Sequence, residues 1–166
     1  MSKPNYFEDI EVGSVEEFGG YEVSAQEIIE FATKYDPQPF HLSEDGGKQT
    51  HFGGLVASGW HTGSIAMRLI CDNMPEHSAS LGSPGIDELR WRKPVFPGDV
   101  LRVRSTITDK KPSRSRPELG SVFILNEVIN QNDVVVMSYS PIVLYKRRTW
   151  NVSGRSEPHS RAKDAA

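Results

Sequence analysis

Asp36 and His41 lie five residues apart in the segment Tyr35-Asp36-Pro37-Gln38-Pro39-Phe40-His41. A carboxylate and an imidazole can accept, hold and return a proton near neutral pH, which is general acid/base chemistry. Two intervening prolines remove N–H donors and fix φ, so the pair is expected on a stiff, extended loop and not on one helical face. Taken singly, an Asp in a Pro-containing loop is usually a turn or capping residue, and a His is usually a surface or satisfied core side chain. The pairing is what points to chemistry. A glycine-rich, nearly uncharged run follows, Gly53 to Cys71, and reads as a buried helix beside the pair.

Two helices must position these groups. Ser24-x-x-Glu27 is a capping-box signature, and Ala25, Ile28, Ile29, Ala32 and Tyr35 recur at helical spacing, so the first helix is expected from about Ser24 to Tyr35. From Gly59 to about Asp72, apolar residues fall on more than one face, which describes a helix wrapped on most sides. The remainder is rich in strand signals. Glu88 to Phe96 leads into the turn Pro97-Gly98-Asp99, and Val100 to Thr108 alternates as a half-buried strand does. Ser121 to Asn130 and Val134 to Tyr145 form two more runs joined by Gln131-Asn132-Asp133, the content of an antiparallel hairpin. An antiparallel sheet wrapped around one long central helix is an α+β fold.

The 166 residues suffice for one domain with a proper core. A formal charge of −3 with no basic stripe gives no sign of nucleic-acid binding. The single cysteine, Cys71, falls in an apolar run and reads as an inert core thiol in a reduced, cytoplasmic protein. Residues 1–9 lack the apolar stretch of a signal peptide. The run from Gly53 to Cys71 carries four glycines, His61 and Arg68, which makes it a poor membrane span. Residues 1–150 are read as one domain and 151–166, without apolar periodicity, as a flexible tail.

The order helix, Asp36-Pro37-x-Pro39-x-His41, then Phe52-Gly53-Gly54-Leu55-Val56-Ala57-Ser58-Gly59-Trp60, resembles the MaoC-like dehydratases of the hot-dog fold, which include (R)-specific enoyl-CoA hydratases. The similarity runs from about Phe7 to about Lys146. Many hydratases of the group carry Asn at the position of Gln38 and His at that of Ser58, departures that bear on substrate choice more than on fold.

The resemblance implies a hydratase/dehydratase acting on 2-enoyl and (3R)-3-hydroxyacyl thioesters of CoA or an acyl carrier. It places Asp36 and His41 on one water, with the backbone N–H of Gly59 facing the thioester oxygen. No cofactor is implied beyond the coenzyme A of the substrate, and the expected assembly is a homodimer or dimer of dimers. Ser58 is read as a helix cap or partner of a catalytic group, Phe52, Gly53 and Gly54 as shaping the acyl tunnel, and Trp60 as core. His41, His51 and His61 are spaced ten apart, which does not meet the ligand spacing of a zinc site. The basic cluster Lys110 to Arg116 reads as a solvated hairpin loop, with coenzyme phosphates as the sharper alternative. A thioesterase and a non-catalytic acyl-thioester binder remain open, since fold does not fix function. Against a thioesterase stands the lack of Asp or Glu from Gly53 to Cys71.

Overall fold

The computed structural model describes residues 6–148. The tail expected from 151 onward lies outside them. Five antiparallel strands, β1 (Val15–Glu22), β2 (Gly85–Trp91), β3 (Val100–Pro112), β4 (Leu119–Ile129) and β5 (Val135–Lys146), form one sheet in the order β1-β3-β4-β5-β2. The four α-helices of the described residues, α1 (Ala25–Tyr35), α2 (Pro39–Leu42), α3 (Glu44–Lys48) and α4 (Gly59–Asn73), all fall between β1 and β2 in the chain.

The core lies where the curled sheet meets α4. Ile65, Ala66 and Leu69 of α4 pack with Leu101 and Val103 of β3, Val128 of β4, and Met137 and Tyr139 of β5. Truncating a buried residue such as Ile65 to Ala typically costs about 2–5 kcal/mol. Only this face of α4 is covered, however. Trp60 is 62% and Met67 50% exposed, and the Cys71 thiol is exposed and free. Trp60 and Cys71 are therefore not the core residues that their apolar surroundings in sequence suggest, and α4 is not wrapped on most sides by its own chain.

Strand β1 is not read from the sequence, and its glycines explain why. Gly19 and Gly20 take φ of +121° and +122°, and the register with β3 shifts between Gly19 and Tyr21, so the strand carries a bulge where glycine is needed. A Cβ on Gly19 would also press on the Arg102 backbone and the Leu69 side chain. Strand β2 begins and ends earlier than expected. Its ladder stops at Trp91, after which the N–H groups of Arg92 and Lys93 both donate to the Val136 carbonyl and Pro94 has no donor to continue with. The hairpin joining β4 to β5 forms as expected, with Asp133 at φ +60° and Asn130 N–H donating to Val134 O.

The basic cluster from Lys110 divides between the end of β3 and the hairpin beyond it. Lys110 Nζ donates to the Ile10 carbonyl at 2.5 Å, Lys111 pairs with Asp109 at 2.9 Å, and Arg116 pairs with Glu118. Much of this charge is thus spent within the fold.

Candidate active site

Helix α1 brings the carboxylate into place. Ser24 Oγ caps it by accepting the Glu27 N–H, and Ile28 and Ala32, four apart, bury its inner face. Pro37 disfavours helical geometry in the residue before it, so Asp36 leaves the helix at its C-cap, with φ −151° and ψ 66°. The expectation of an extended loop from Asp36 to His41 holds only as far as Gln38. Pro39 opens the short helix α2, whose first position tolerates a missing N–H, and His41 lies inside it.

His41 is 6% exposed, and its Nδ1 lies 2.7 Å from the Val56 carbonyl oxygen. A carbonyl can only accept, so Nδ1 carries the proton and the Nε2 of a neutral ring keeps its lone pair. That Nε2 lies 3.4 Å from Asp36 Oδ2. Two acceptors converge here, an arrangement suited to a ligand that donates to both.

Asp36 is held from two further sides. Ser58 Oγ donates to its Oδ2 and Gln38 Nε2 to its Oδ1, each at 2.7 Å. Ser58 also caps α4, its Oγ accepting the Trp60 N–H at 3.2 Å, so the residue read as either a cap or a partner is both. The Ser58 hydrogen bond is the largest influence on the Asp36 carboxyl and, with Gln38 and His41, draws its pKa below the usual aspartate value against an opposing effect of burial. Because folding depresses this pKa, the stability it confers is complete above the ordinary aspartate value and disappears as pH falls through the folded one. Ser58→Ala should therefore move the acid limb of activity to higher pH and lower stability by about 1–2 kcal/mol through the lost cap and hydrogen bond, measurable by pH–rate profiles and thermal melts.

Asp36, Gln38 and His41 open onto a cleft of about 510 Å³, whereas the buried Ser58, expected to touch substrate, does not line it. Asp36, His41, Gly59 and Phe52 line it, whereas Gly53 and Gly54 do not. Gly53, at φ +75°, makes the turn, and Gly54 sits against the Glu44 carboxylate. Trp91, Arg92 and Lys93, which the sequence reading did not single out, add to the walls together with Gln38 and His51. Gly59 begins α4, whose first N–H groups have no intrahelical acceptor. A Cβ there would overlap the Trp91 indole. Trp91 and Trp60 meet edge to face at 5.1 Å between ring centres.

The floor behind His41 is packed backbone against backbone. A Cβ on Gly47 of α3 would collide with the Gly54 carbonyl, and one on Gly46 with that of Pro39. Glu44 Oε2 accepts the Leu55 N–H at 3.0 Å, and the Phe40 carbonyl accepts that of Val56 at 3.1 Å.

The profile of the MaoC like domain matches residues 11–128. The chain belongs to the MaoC-like family. A crystal structure of a MaoC-like dehydratase from Rhodospirillum rubrum superposes with a TM-score of 0.81 at 38% identity, covering 89% of this chain and 100% of that one. The 3-hydroxybutyryl-CoA dehydratase of Methylorubrum extorquens is 31% identical over 133 residues, 79% of this chain and 82% of its own. Protein YdeM of Bacillus subtilis, whose activity is uncharacterized, is 30% identical over 140 residues, 84% of this chain and 98% of its own. The curled sheet around α4 is accordingly the α+β hot-dog fold, and this MaoC-like chain sits among hydratases and dehydratases. Among the described residues, no helix is long and apolar enough to cross a membrane.

Proposed function

We propose that the protein is a hydratase/dehydratase interconverting 2-enoyl and (3R)-3-hydroxyacyl thioesters of CoA or an acyl carrier, through one water held by Asp36 and His41. The observation that carries this reading is the His41 Nδ1–Val56 contact. It turns the Nε2 lone pair towards the Asp36 carboxylate, so that both atoms present acceptors to a water with two protons to give. In hydration the water oxygen bonds to C3 while the C2=C3 electron pair moves towards the thioester oxygen. Asp36 takes the water proton and returns it to C2, and His41 orients the water and shares the proton's movement. The Gly59 N–H, at the positive end of α4, faces the developing oxyanion.

Arg92 and Lys93, and not the cluster from Lys110 to Arg116, stand where the phosphates of coenzyme A or of a carrier arm could meet a cation, since they line the cleft. No cofactor is required beyond the substrate's own coenzyme A. The single free thiol fits a reducing, cytoplasmic setting. Purified protein incubated with a panel of enoyl-CoA thioesters should bleach the conjugated enone absorbance without releasing thiol. Thiol release would instead mark a thioesterase, and neither change would leave a binding protein.

The site is closed, in this reading, by a second copy. Among the described residues, strand β2 is a sheet edge paired only with β5, and Ile86, Trp91 and Phe96 on or beside it join Trp60 and Met67 as exposed large apolar side chains. Light scattering should give a dimer or a dimer of dimers at micromolar concentration. An active monomer would exclude closure by a partner.

A further inference from the structure

A second carboxylate–histidine pair lies on the other side of α4. Glu27 Oε1 is 3.3 Å from His61 Nε2 and accepts the Tyr21 hydroxyl at 2.5 Å, while the Phe31 ring stacks on the His61 ring at 4.7 Å and 13°. These residues line a separate cleft of about 620 Å³, shared with Glu30, Lys34, Arg68 and Asp72, that has no lining residue in common with the first. His61 is 3% exposed, and its Nδ1 is buried with no hydrogen-bond partner among the described residues. If filling space were its only task, an apolar side chain would do so without an unpaired polar atom. What histidine adds is a polar contact at 3.3 Å from α4 to the Glu27 carboxylate of α1.

That contact bears on the carboxylate of the first cleft. Glu27, Phe31 and Tyr35 recur every four residues and so share one stripe of α1, with Phe31 and Tyr35 in ring contact at 5.1 Å. Asp36 follows directly, at the C-cap of the same helix. At the facing end, Ser58 caps the α4 that carries His61 and donates to Asp36. The two helices are therefore tied at two places, Glu27 to His61 and Asp36 to Ser58. Rotation of α1 about its axis would release the second tie once the first is lost.

We propose that His61, held by Glu27 and stacked on Phe31, is a positioning residue that fixes α1 against α4 so that Asp36 stays bonded to Ser58 and beside His41. This rests on the hydratase reading of the first cleft. Besides Glu27 and Tyr21, the charged groups around His61 are Glu30 and Lys34 from α1 and Arg68 and Asp72 from α4, the last two paired at 2.9 Å.

The test uses the full chain with His61→Leu, His61→Gln and Glu27→Ala. Two readouts apply: turnover of an enoyl-CoA, and the carboxyl titration of Asp36 followed by carbon NMR, its signal assigned through Asp36→Asn. His61→Leu and Glu27→Ala should lower kcat by about 10- to 100-fold at near-parental KM, the loss expected from a small misplacement of a reacting group. The Asp36 titration should move up towards the ordinary aspartate value. His61→Gln, whose amide can still donate to Glu27, should restore most of both. If His61→Leu does not fold, the more exposed Glu27→Ala carries the same test. Folded Leu and Ala variants with a parental Asp36 titration would overturn the proposal, as would equal kcat losses in Gln and Leu with that titration unmoved. A parent protein without enoyl-CoA turnover would overturn the hydratase reading alone, and the Asp36 titration would still decide the part played by His61.

Discussion

Asp36→Asn and His41→Ala are each expected to lower kcat for enoyl-thioester hydration by about 10²- to 10⁴-fold, the usual loss on removing a general acid or base. Asparagine keeps the size and hydrogen-bonding reach of aspartate but does not accept a proton at neutral pH. The surroundings can adapt to it. Ser58 Oγ can still donate to the amide oxygen, and the Gln38 amide can turn to offer its oxygen to the new NH₂ group. Packing should therefore survive, and KM should change little. Because both residues are proposed to act on one water, the double variant should lose little more than the worse single variant. Fully multiplicative losses, or an active Asp36→Asn protein with intact circular dichroism, would refute the shared-water mechanism.

Gly59→Val should abolish turnover while leaving most of the fold. Loss of one oxyanion donor alone typically costs about 3 kcal/mol in the transition state. The structure adds a steric cause, because the space beside the Gly59 Cα is filled by the Trp91 indole and any Cβ must displace that ring from the cleft wall. Overpacking of this kind typically costs about 1–3 kcal/mol of stability, so circular dichroism and a melt must accompany the kinetics. Gly59→Ala should share the defect, and Trp91→Ala in the same chain should relieve part of it by making room for the methyl group. A folded Gly59→Val protein turning over at the parental rate would remove Gly59 from the oxyanion site.

Local sequence carried the parts of this fold that depend on local rules. The Ser24 cap, the stop imposed by Pro37, the turn at Gly98 and the hairpin through Asp133 are decided within a few residues, and each forms where the sequence implies it. Strand β1 was hidden because its two glycines act through a bulge against β3, a partner more than eighty residues away. Pro39 was read as a breaker, yet at the first position of α2 it opens a helix. Trp60 and Cys71 misled because an apolar run shows that a helix has a buried face without showing which residues occupy it.

The candidate site was legible in its reacting groups and less so in its supports. Asp36, His41 and Gly59 do line one cleft, as their order along the chain suggested. The Val56 carbonyl that selects the His41 tautomer leaves no trace in sequence, since every residue has a carbonyl. Gln38 was noted only as a departure from a pattern, although a side chain two residues from a carboxylate can reach it. Trp91, Arg92 and Lys93 come from the end of β2 and the residues just after it, more than thirty positions along the chain from Gly59.

The glycine contacts beneath His41 bear on how the proposed thioester substrate would be met. With α3 pressed on the Pro39 and Gly54 carbonyls and Glu44 clasping Leu55, the segment from Pro39 to Ala57 has little freedom left to lose. The entropy of ordering it is spent during folding and not on binding. Amide hydrogens of Leu55 and Val56 should accordingly exchange slowly in the empty protein, and little more slowly when an acyl thioester is bound. In the proposed hydratase reading, a segment held this firmly would not have to order itself before reaction.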